Sequence, residues 1–428
     1  VRGGGKAKVI NSTAVEADRT MGPATFNSSG FVTGAGPSNA ATKMCYWTFR
    51  EAPKFFDVVT YTGNGSSSNS YTQTINHNLG VAPGMIWVMP LSKVGNYPVY
   101  HRGMDATYPE RYYNILYSNN PRIATTEPSG NSGGFPWNWF APTATQFQVK
   151  SPDGVGDVNE NGVQYVAYLF GHDTSSAGMI NCGSYTATSA TELFVSTSFE
   201  PQLIMIKDIS YSSAGGSEWY WIDTARGLNN YSGEVQDLHF DGSAESQSNT
   251  SSAAAVTTQE LGSDGFGFTV GGNSGGGINY NGSRYIYMAI RKPTMKALNQ
   301  DTISGYFSIA SSGGYYSNFP VDMALIRKVN NTSNWDLATR SITTDTLRPN
   351  DATAIDVGHS AMTFDYGQGF NSQSTTDSNQ YAWMWRIAKG YFDIKHYRGT
   401  GSNRTILHSL GVTPEMIWVK SMTSAHAW

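Results

Sequence analysis

Two cysteines in 428 residues, Cys45 and Cys182, are too few for a disulfide framework, and neither has the CxxC or Cys/His spacing that holds zinc. Each falls in a hydrophobic, strand-like run, so both are expected as buried free thiols. Charge is scarce too: 14% of residues are charged and the formal net charge is -4. Without a Lys/Arg cluster there is no electrostatic footprint for nucleic acid, and no nucleic-acid partner is expected. No apolar stretch approaches the roughly 20 residues a membrane-spanning helix needs, so no membrane insertion is expected. The start, VRGGGKAKVI, lacks the apolar region of a signal peptide. Helix caps and a 3.6-residue period are almost absent.

What is abundant is equally one-sided. Aromatics make up 13% of the chain, with 25 Tyr and 11 Trp, and there are 46 Gly among long runs of Ser, Thr and Asn. That composition fits many short strands joined by tight turns. The length suggests roughly two to four domains.

The chain repeats itself. FFDVVTYTGNG at Phe55 to Gly65 returns as YFDIKHYRGTG at Tyr391 to Gly401, and INHNLGVAPGMIWV at Ile75 to Val88 returns as ILHSLGVTPEMIWV at Ile406 to Val419. Looser copies are FEPQLIMIK (Phe199 to Lys207) and FPVDMALIRK (Phe319 to Lys328). The prolines that introduce these runs, Pro83, Pro201, Pro320 and Pro414, lie 118, 119 and 94 residues apart. A second series, Met44 to Arg50, Tyr165 to Phe170, Tyr285 to Arg291 and Tyr381 to Arg386, closes each period with alternating aromatic and aliphatic residues, the pattern of a strand. A third series, Tyr97 to Gly103, Trp219 to Gly227 and Trp335 to Arg340, opens on an aromatic and ends at an arginine.

Fixed-period similarity of this kind marks a repeat architecture. Module boundaries are read at 1–53 (the back half of a module), 54–173, 174–293, 294–389 (a shortened module) and 390–428 (the front half of another). Asn-Gly at 161–162 and 281–282 and Asp-Gly at 264–265 are tight-turn signals. The expected fold is all-β: antiparallel β-sandwich modules of jelly-roll type in an extended tandem array, with a barrel as the second choice. Modules of this size hold their own cores, so neighbours are expected to meet over modest interfaces. Both ends cut a module, so the chain is expected to be a piece of a longer repeat protein. The two half modules are candidates to complete one another between subunits.

The segments Phe56 to Gly65, His77 to Val88, Tyr100 to Gly103 and Ser263 to Phe266, with the closing Y-x-Y/W strand, resemble a module repeated in structural proteins of tailed bacteriophages, especially marine ones. The similarity is clear at 54–103 and 390–428 and looser at 174–389. In the middle modules TELFVSTSFEP (Thr191 to Pro201) and a short Gly-Tyr loop at 313–319 replace the His-Leu-Gly-Val segment. The resemblance implies a virion structural protein with LamG-like or lectin-like sandwich modules, made in a bacterial cytoplasm and carried on the particle surface as a tail fibre-like appendage. Homo-oligomeric and other virion partners and a host-surface glycan go with it. The alternatives are a glycan-binding adhesin module and a capsid-decorating protein.

No catalytic constellation is read, and no enzyme is expected. GNSGG at 130–134 and 272–276 matches the G-x-S-x-G spelling of a nucleophile elbow but lacks the helix that must follow. Asp157, Asn159 and Asn161 before Gly162 open like a calcium loop, yet Tyr168 stands where the bidentate Glu belongs, so hairpin geometry outranks calcium and no other cofactor is called for. His77 and His408, each before Leu-Gly-Val, read as turn residues bonded to backbone. The clustered aromatics are the interface or glycan-contact candidates: Trp137 and Trp139 in FPWNWF, and Trp219, Tyr220 and Trp221 in EWYWID. Three consecutive aromatics in a strand cannot all enter one core, because alternate side chains face opposite sides.

Overall fold

The computed structural model describes residues 47–65, 72–125, 135–151, 158–175, 177–188, 192–210, 219–224, 265–271, 278–292, 303–311, 315–329, 332–342, 345–356, 362, 364, 368–370, 379–397, 399 and 401–428, and the strand pairing of 6–7, 17–18, 23–27, 30–33, 236–239, 247–248 and 256–262. Apart from two short 3-10 turns, Pro109–Arg111 and Ile303–Gly305, every regular element here is a strand. The all-β expectation holds, as separate antiparallel sheets and without a closed barrel among the described residues.

Near the start, β1 (Lys6–Ala7) pairs with β2 (Ala17–Asp18), and β3 (Pro23–Asn27) with β4 (Gly30–Thr33). The first large sheet draws on β5 (Phe56–Thr62), β7 (Met85–Pro90), β8 (Pro98–His101), β9 (Tyr112–Ile115), β10 (Ile123–Ala124) and β12 (Gln164–Phe170). Its order is β10-β9-β8-β7-β12-β5, so the last strand of the sheet enters between its first two, β5 and β7. β6 (Thr72–Asn76) and β11 (Gln146–Lys150) form a two-stranded sheet.

The second large sheet repeats that order strand for strand. β13 (Ile180–Thr186), β15 (Pro201–Asp208), β16 (Trp219–Asp223), β17 (Gln236–His239), β18 (Gln247–Ser248) and β21 (Arg284–Arg291) run β18-β17-β16-β15-β21-β13. β14 (Glu192–Ser196), β19 (Val256–Gly262) and β20 (Gly265–Gly271) form its small companion sheet. β22 (Phe307–Ser311), β23 (Met323–Lys328), β24 (Asp336–Thr339) and β25 (Gln380–Trp385) follow the same scheme with fewer strands, β24-β23-β25-β22.

Local chemistry recurs along with order. Tyr61 donates to the Val158 carbonyl and stacks on Tyr165, whose hydroxyl accepts the Glu160 N–H. Tyr185 donates to the Ile278 carbonyl and stacks on Tyr285, whose hydroxyl accepts the Tyr280 N–H. The Asn-Gly turns close beside them, with Gly162 and Gly282 at φ 77° and 84°, a conformation glycine adopts without the clash a Cβ would cause.

Beyond a core within each module, the two six-stranded sheets share another between them, where only a modest interface was expected. Met85, Trp87 and Met89 of β7 share one continuous core with Leu203 and Met205 of β15, Trp219 and Trp221 of β16 and Met288 of β21. The opposite faces carry their own cores: Ile86 and Val88 pack with Phe147 and Val149 of β11, and Ile204 and Ile206 pack with Phe268 and Val270 of β20. The result is four stacked layers with both faces of each large sheet covered. The physical reason is legible in β7, where MIWVMP is buried at every position. An uninterrupted apolar strand is one that is covered on both sides.

The third large sheet also has two apolar faces. Ala324, Ile326 and Met384 pack with Phe319 and Phe364, while Met323 and Leu337 pack with Leu347, Phe392 and Ile394. From residue 391 to 428 the described residues contain no strand. MIWV at 416–419 is therefore not the strand that MIWV at 85–88 is.

Candidate functional site

The loop FPWNWF follows from a reversal of backbone handedness. Asn138 and Trp139 both have positive φ, 52° and 53°. Asn tolerates this region, whereas a bulky Trp there is strained by about 1–3 kcal/mol and is held by its surroundings. The reversal sends the two tryptophans apart. Trp137 is buried, edge-on to Tyr100 at 6.0 Å. Trp139 turns toward the surface, donates its indole N–H to Thr125 Oγ1 at 2.6 Å, and lays its ring 4.0 Å from the Arg111 guanidinium.

The Tyr108 ring lies equally close to the same guanidinium, also at 4.0 Å. Arg111 follows Tyr108 in the turn Pro109–Arg111, which folds the arginine back over the tyrosine, and its backbone pairs with Thr125. The planar cation thus rests against two rings, with no carboxylate in ion-pair distance among the described residues. Its Nε is buried without a hydrogen-bond partner. Contact with both holds the N–H edge in one plane, the geometry that suits a planar acceptor such as a carboxylate. Tyr108 is 47% exposed, so one aromatic surface is open to a ligand.

The run Trp219-Tyr220-Trp221 divides by parity. Trp219 and Trp221 face the core between the two large sheets, and Tyr220 faces the core on the other side. Trp219 donates its indole N–H to the Ile115 carbonyl at 3.0 Å, a bond from one sheet to the other. Trp47 joins the same core, edge-on to Trp221 at 5.6 Å and bonded to Asp223 Oδ2 at 2.9 Å.

Polar groups that the sequence did not single out line this boundary. His101 Nδ1 accepts the Gly103 N–H at 3.0 Å, which leaves Nε2 to carry the proton toward the Tyr287 carbonyl at 3.0 Å. His172 Nδ1 accepts the Cys182 N–H at 3.1 Å. Burial lowers the first imidazole to about 3 and the second to about 4. Lys207 is fully buried and donates to the Ser118 carbonyl at 2.9 Å. Position alone, at the end of an unbroken apolar strand, was the available signal for His101.

The remaining sequence candidates separate. Asp157 lies outside the described residues. Asn159 is buried and exchanges side-chain and backbone hydrogen bonds with Asn64, and Asn161 lies in the turn, exposed. Both GNSGG segments and Cys45 lie outside the described residues. Cys182 is a buried free thiol, as expected. His77 Nδ1 accepts the Leu79 N–H at 3.2 Å, the backbone role its turn position suggests, while His408 is exposed.

No curated protein matches this sequence. Residues 1–293 match a family described as a domain of unknown function, DUF7483. That stretch is most of the chain, and it contains both six-stranded sheets, their shared core and the Arg111 clamp. The chain belongs to the DUF7483 family.

Proposed function

We propose that this chain is a structural protein of a tailed-phage virion, a tandem array of β-sandwich modules that builds a fibre or surface appendage. The observation that carries the reading is one strand order written three times, with the first two copies fused through a common core. Repetition supplies length, and a shared core supplies stiffness, because two sheets buried against each other cannot hinge as beads on a string do. In the first module Asp57 lies on β5, the Met-Ile-Trp-Val strand pairs with the closing aromatic strand, and that strand pairs in turn with β5. Immunogold labelling of phage particles encoded with this gene tests the reading. Label on a tail fibre or appendage is the expected result, and bare particles would defeat it.

One observation favours a second reading, a glycan-binding adhesin module. The Tyr108–Arg111–Trp139 stack offers an open aromatic ring next to fixed N–H donors, a pairing that suits a sugar ring bearing an acidic group. A glycan array probed with the protein and with its Tyr108→Ala variant tests it: selective binding that the substitution abolishes supports this reading.

A further inference from the structure

The turn at 108–111 and the loop at 137–139 each send one side chain inward and one outward. In a 3-10 turn such as Pro109–Arg111 successive side chains point about 120° apart, and positions three apart eclipse. Tyr108 and Arg111 therefore meet, ring against guanidinium at 4.0 Å, while Glu110 turns into the protein and is only 7% exposed. The left-handed pair Asn138 and Trp139 does the same for the loop. Trp137 goes in, 1% exposed, and Trp139 turns out against Arg111.

Tyr100 lies beside both inner members. Its ring stands edge-on to Trp137 at 6.0 Å, and its hydroxyl is raised by burial and then by the nearby charge of Glu110. The Glu110 carboxyl group and the Tyr100 hydroxyl form no hydrogen bond or ion pair among the described residues. The Trp137 indole N–H and Arg111 Nε are buried without a hydrogen-bond partner. Folded proteins pair nearly all of their buried polar groups. Four unpaired ones, drawn from one turn, one strand and one loop, make a place that a polar ligand can fill.

The four groups define that ligand by what each can exchange. Glu110 accepts, Arg111 and Trp137 donate, and the Tyr100 hydroxyl does either. The ligand must bring hydroxyl donors to Glu110 and an acceptor, best an anionic one, to Arg111. A cationic ligand is disfavoured, because the Arg111 guanidinium already lies against both outer rings. A hexuronate pyranose meets both demands: its acid sits on C5, across the ring from the vicinal 2,3-diol. The apolar C–H face of such a ring suits the open side of Tyr108.

We propose that Tyr108, Glu110 and Arg111 form a hexuronate-binding subsite, in which Arg111 receives the sugar carboxylate, Glu110 accepts the 2,3-hydroxyls and Tyr108 carries the ring. The inference rests on the glycan-binding reading given under Proposed function, and it is independent of any place in a virion.

Isothermal titration calorimetry of the full chain with trigalacturonate and with its methyl ester tests the arrangement. The ester keeps every hydroxyl and loses the anion, so it is expected to bind about tenfold more weakly. Glu110→Gln keeps the size of the side chain and touches only the diol, so it should weaken acid and ester by the same factor, about tenfold. Equal affinity of acid and ester overturns the proposal, because Arg111 then has no part in recognition. Tighter binding of the acid by Glu110→Gln also overturns it, because the sugar carboxylate then lies beside Glu110. Denaturation midpoints of the variant and the native protein are compared first. If the Gln variant is destabilised, Glu110→Asp takes its place, and the acid-to-ester ratio of the native chain decides on its own. No binding of trigalacturonate defeats this inference. Tyr108-dependent binding of another sugar on the glycan array would then leave the broader reading standing, and a blank array would remove both.

Discussion

Gly84 and Cys182 meet across the boundary between the two six-stranded sheets so closely that a Cβ on Gly84 would stand 2.6 Å from the Cys182 Cβ and 2.7 Å from its Sγ. The Gly84 backbone is fixed on both sides, its N–H donating to the Phe170 carbonyl and its carbonyl accepting the Arg102 N–H. It cannot retreat, so the missing side chain is what lets the sheets touch.

Gly84→Ala is therefore expected to destabilise the protein by about 1–3 kcal/mol, the usual penalty of overpacking a filled core. Cys182→Gly in the same molecule removes the two closest atoms, leaving the Gly171 carbonyl oxygen at 2.9 Å, and should recover part of the loss. The measurement is a double-mutant cycle by chemical denaturation, and the expected result is a clear departure from additivity. Additive losses would place the two sheets further apart than described.

Acid should weaken the same boundary. The Tyr287 carbonyl, Arg102 and His172 bear on His101, and Arg102 and Asp173 bear on His172. Burial lowers both imidazoles to about 3 and about 4. A base depressed in the folded state is neutral there while the unfolded chain still binds a proton, so its contribution is complete above the unfolded value near 6.5. Stability should then fall as pH drops from about 6.5 toward 4, by up to about 1.4 kcal/mol per pH unit for each histidine. Asp105 is held low chiefly by the Thr107 and Tyr108 N–H groups and Asp173 by Ser175; these carboxyls add their loss only below about pH 4. Denaturation midpoints at pH 7, 5.5 and 4.5 check the slope. His101→Gln should flatten it whatever it does to the stability at pH 7.

These residues also show how far the sequence could be read. Pro83, Pro201 and Pro320 each introduce the strand they announced, β7, β15 and β23, because an alternating or unbroken apolar run after a proline has few other ways to be buried. Asn-Gly at 161–162 and 281–282 gave its turns away by the backbone angles it needs. Parity placed Trp219 and Trp221 on one side of β16 and Tyr220 on the other, but nothing in the local pattern says that the far side of a sheet is another sheet. That depends on contacts more than a hundred residues distant, such as Trp219 with Ile115. The Tyr108–Arg111–Trp139 stack was hidden for the same reason: it needs the left-handed turn at Asn138 to bring distant positions together.

Arg111→Ala should cost about 1–2 kcal/mol, since a guanidinium against two partly exposed rings is worth about 0.5–1 kcal/mol per ring. Arg111→Lys keeps the charge but not the flat surface, so it should fall between the two. A cycle with Trp139→Phe, read from denaturation midpoints, isolates the contact. Equal stability of the Lys variant and the native protein would mean that charge alone holds Trp139.

Trp87 and Trp418 occupy the same place in a sentence the chain writes twice, and they should respond unequally to one substitution. Trp87 lies between Phe170 at 4.8 Å and Trp221 at 6.5 Å, inside the core that both sheets share. Removing it leaves a cavity that two pinned sheets cannot close, and Trp87→Ala is expected to cost about 3–5 kcal/mol. Trp418 contacts Met416 Sδ and the edge of Trp428 and is largely in solvent, so Trp418→Ala should change stability by no more than about 0.5 kcal/mol. Denaturation of the two variants, with limited proteolysis between 412 and 419 as a companion readout, checks the contrast. Strand propensity is identical in the two tetrapeptides, so any difference measures what neighbouring strands contribute. Comparable losses at the two sites would mean that residues 416–419 are already packed in solution, against the exposure they show here.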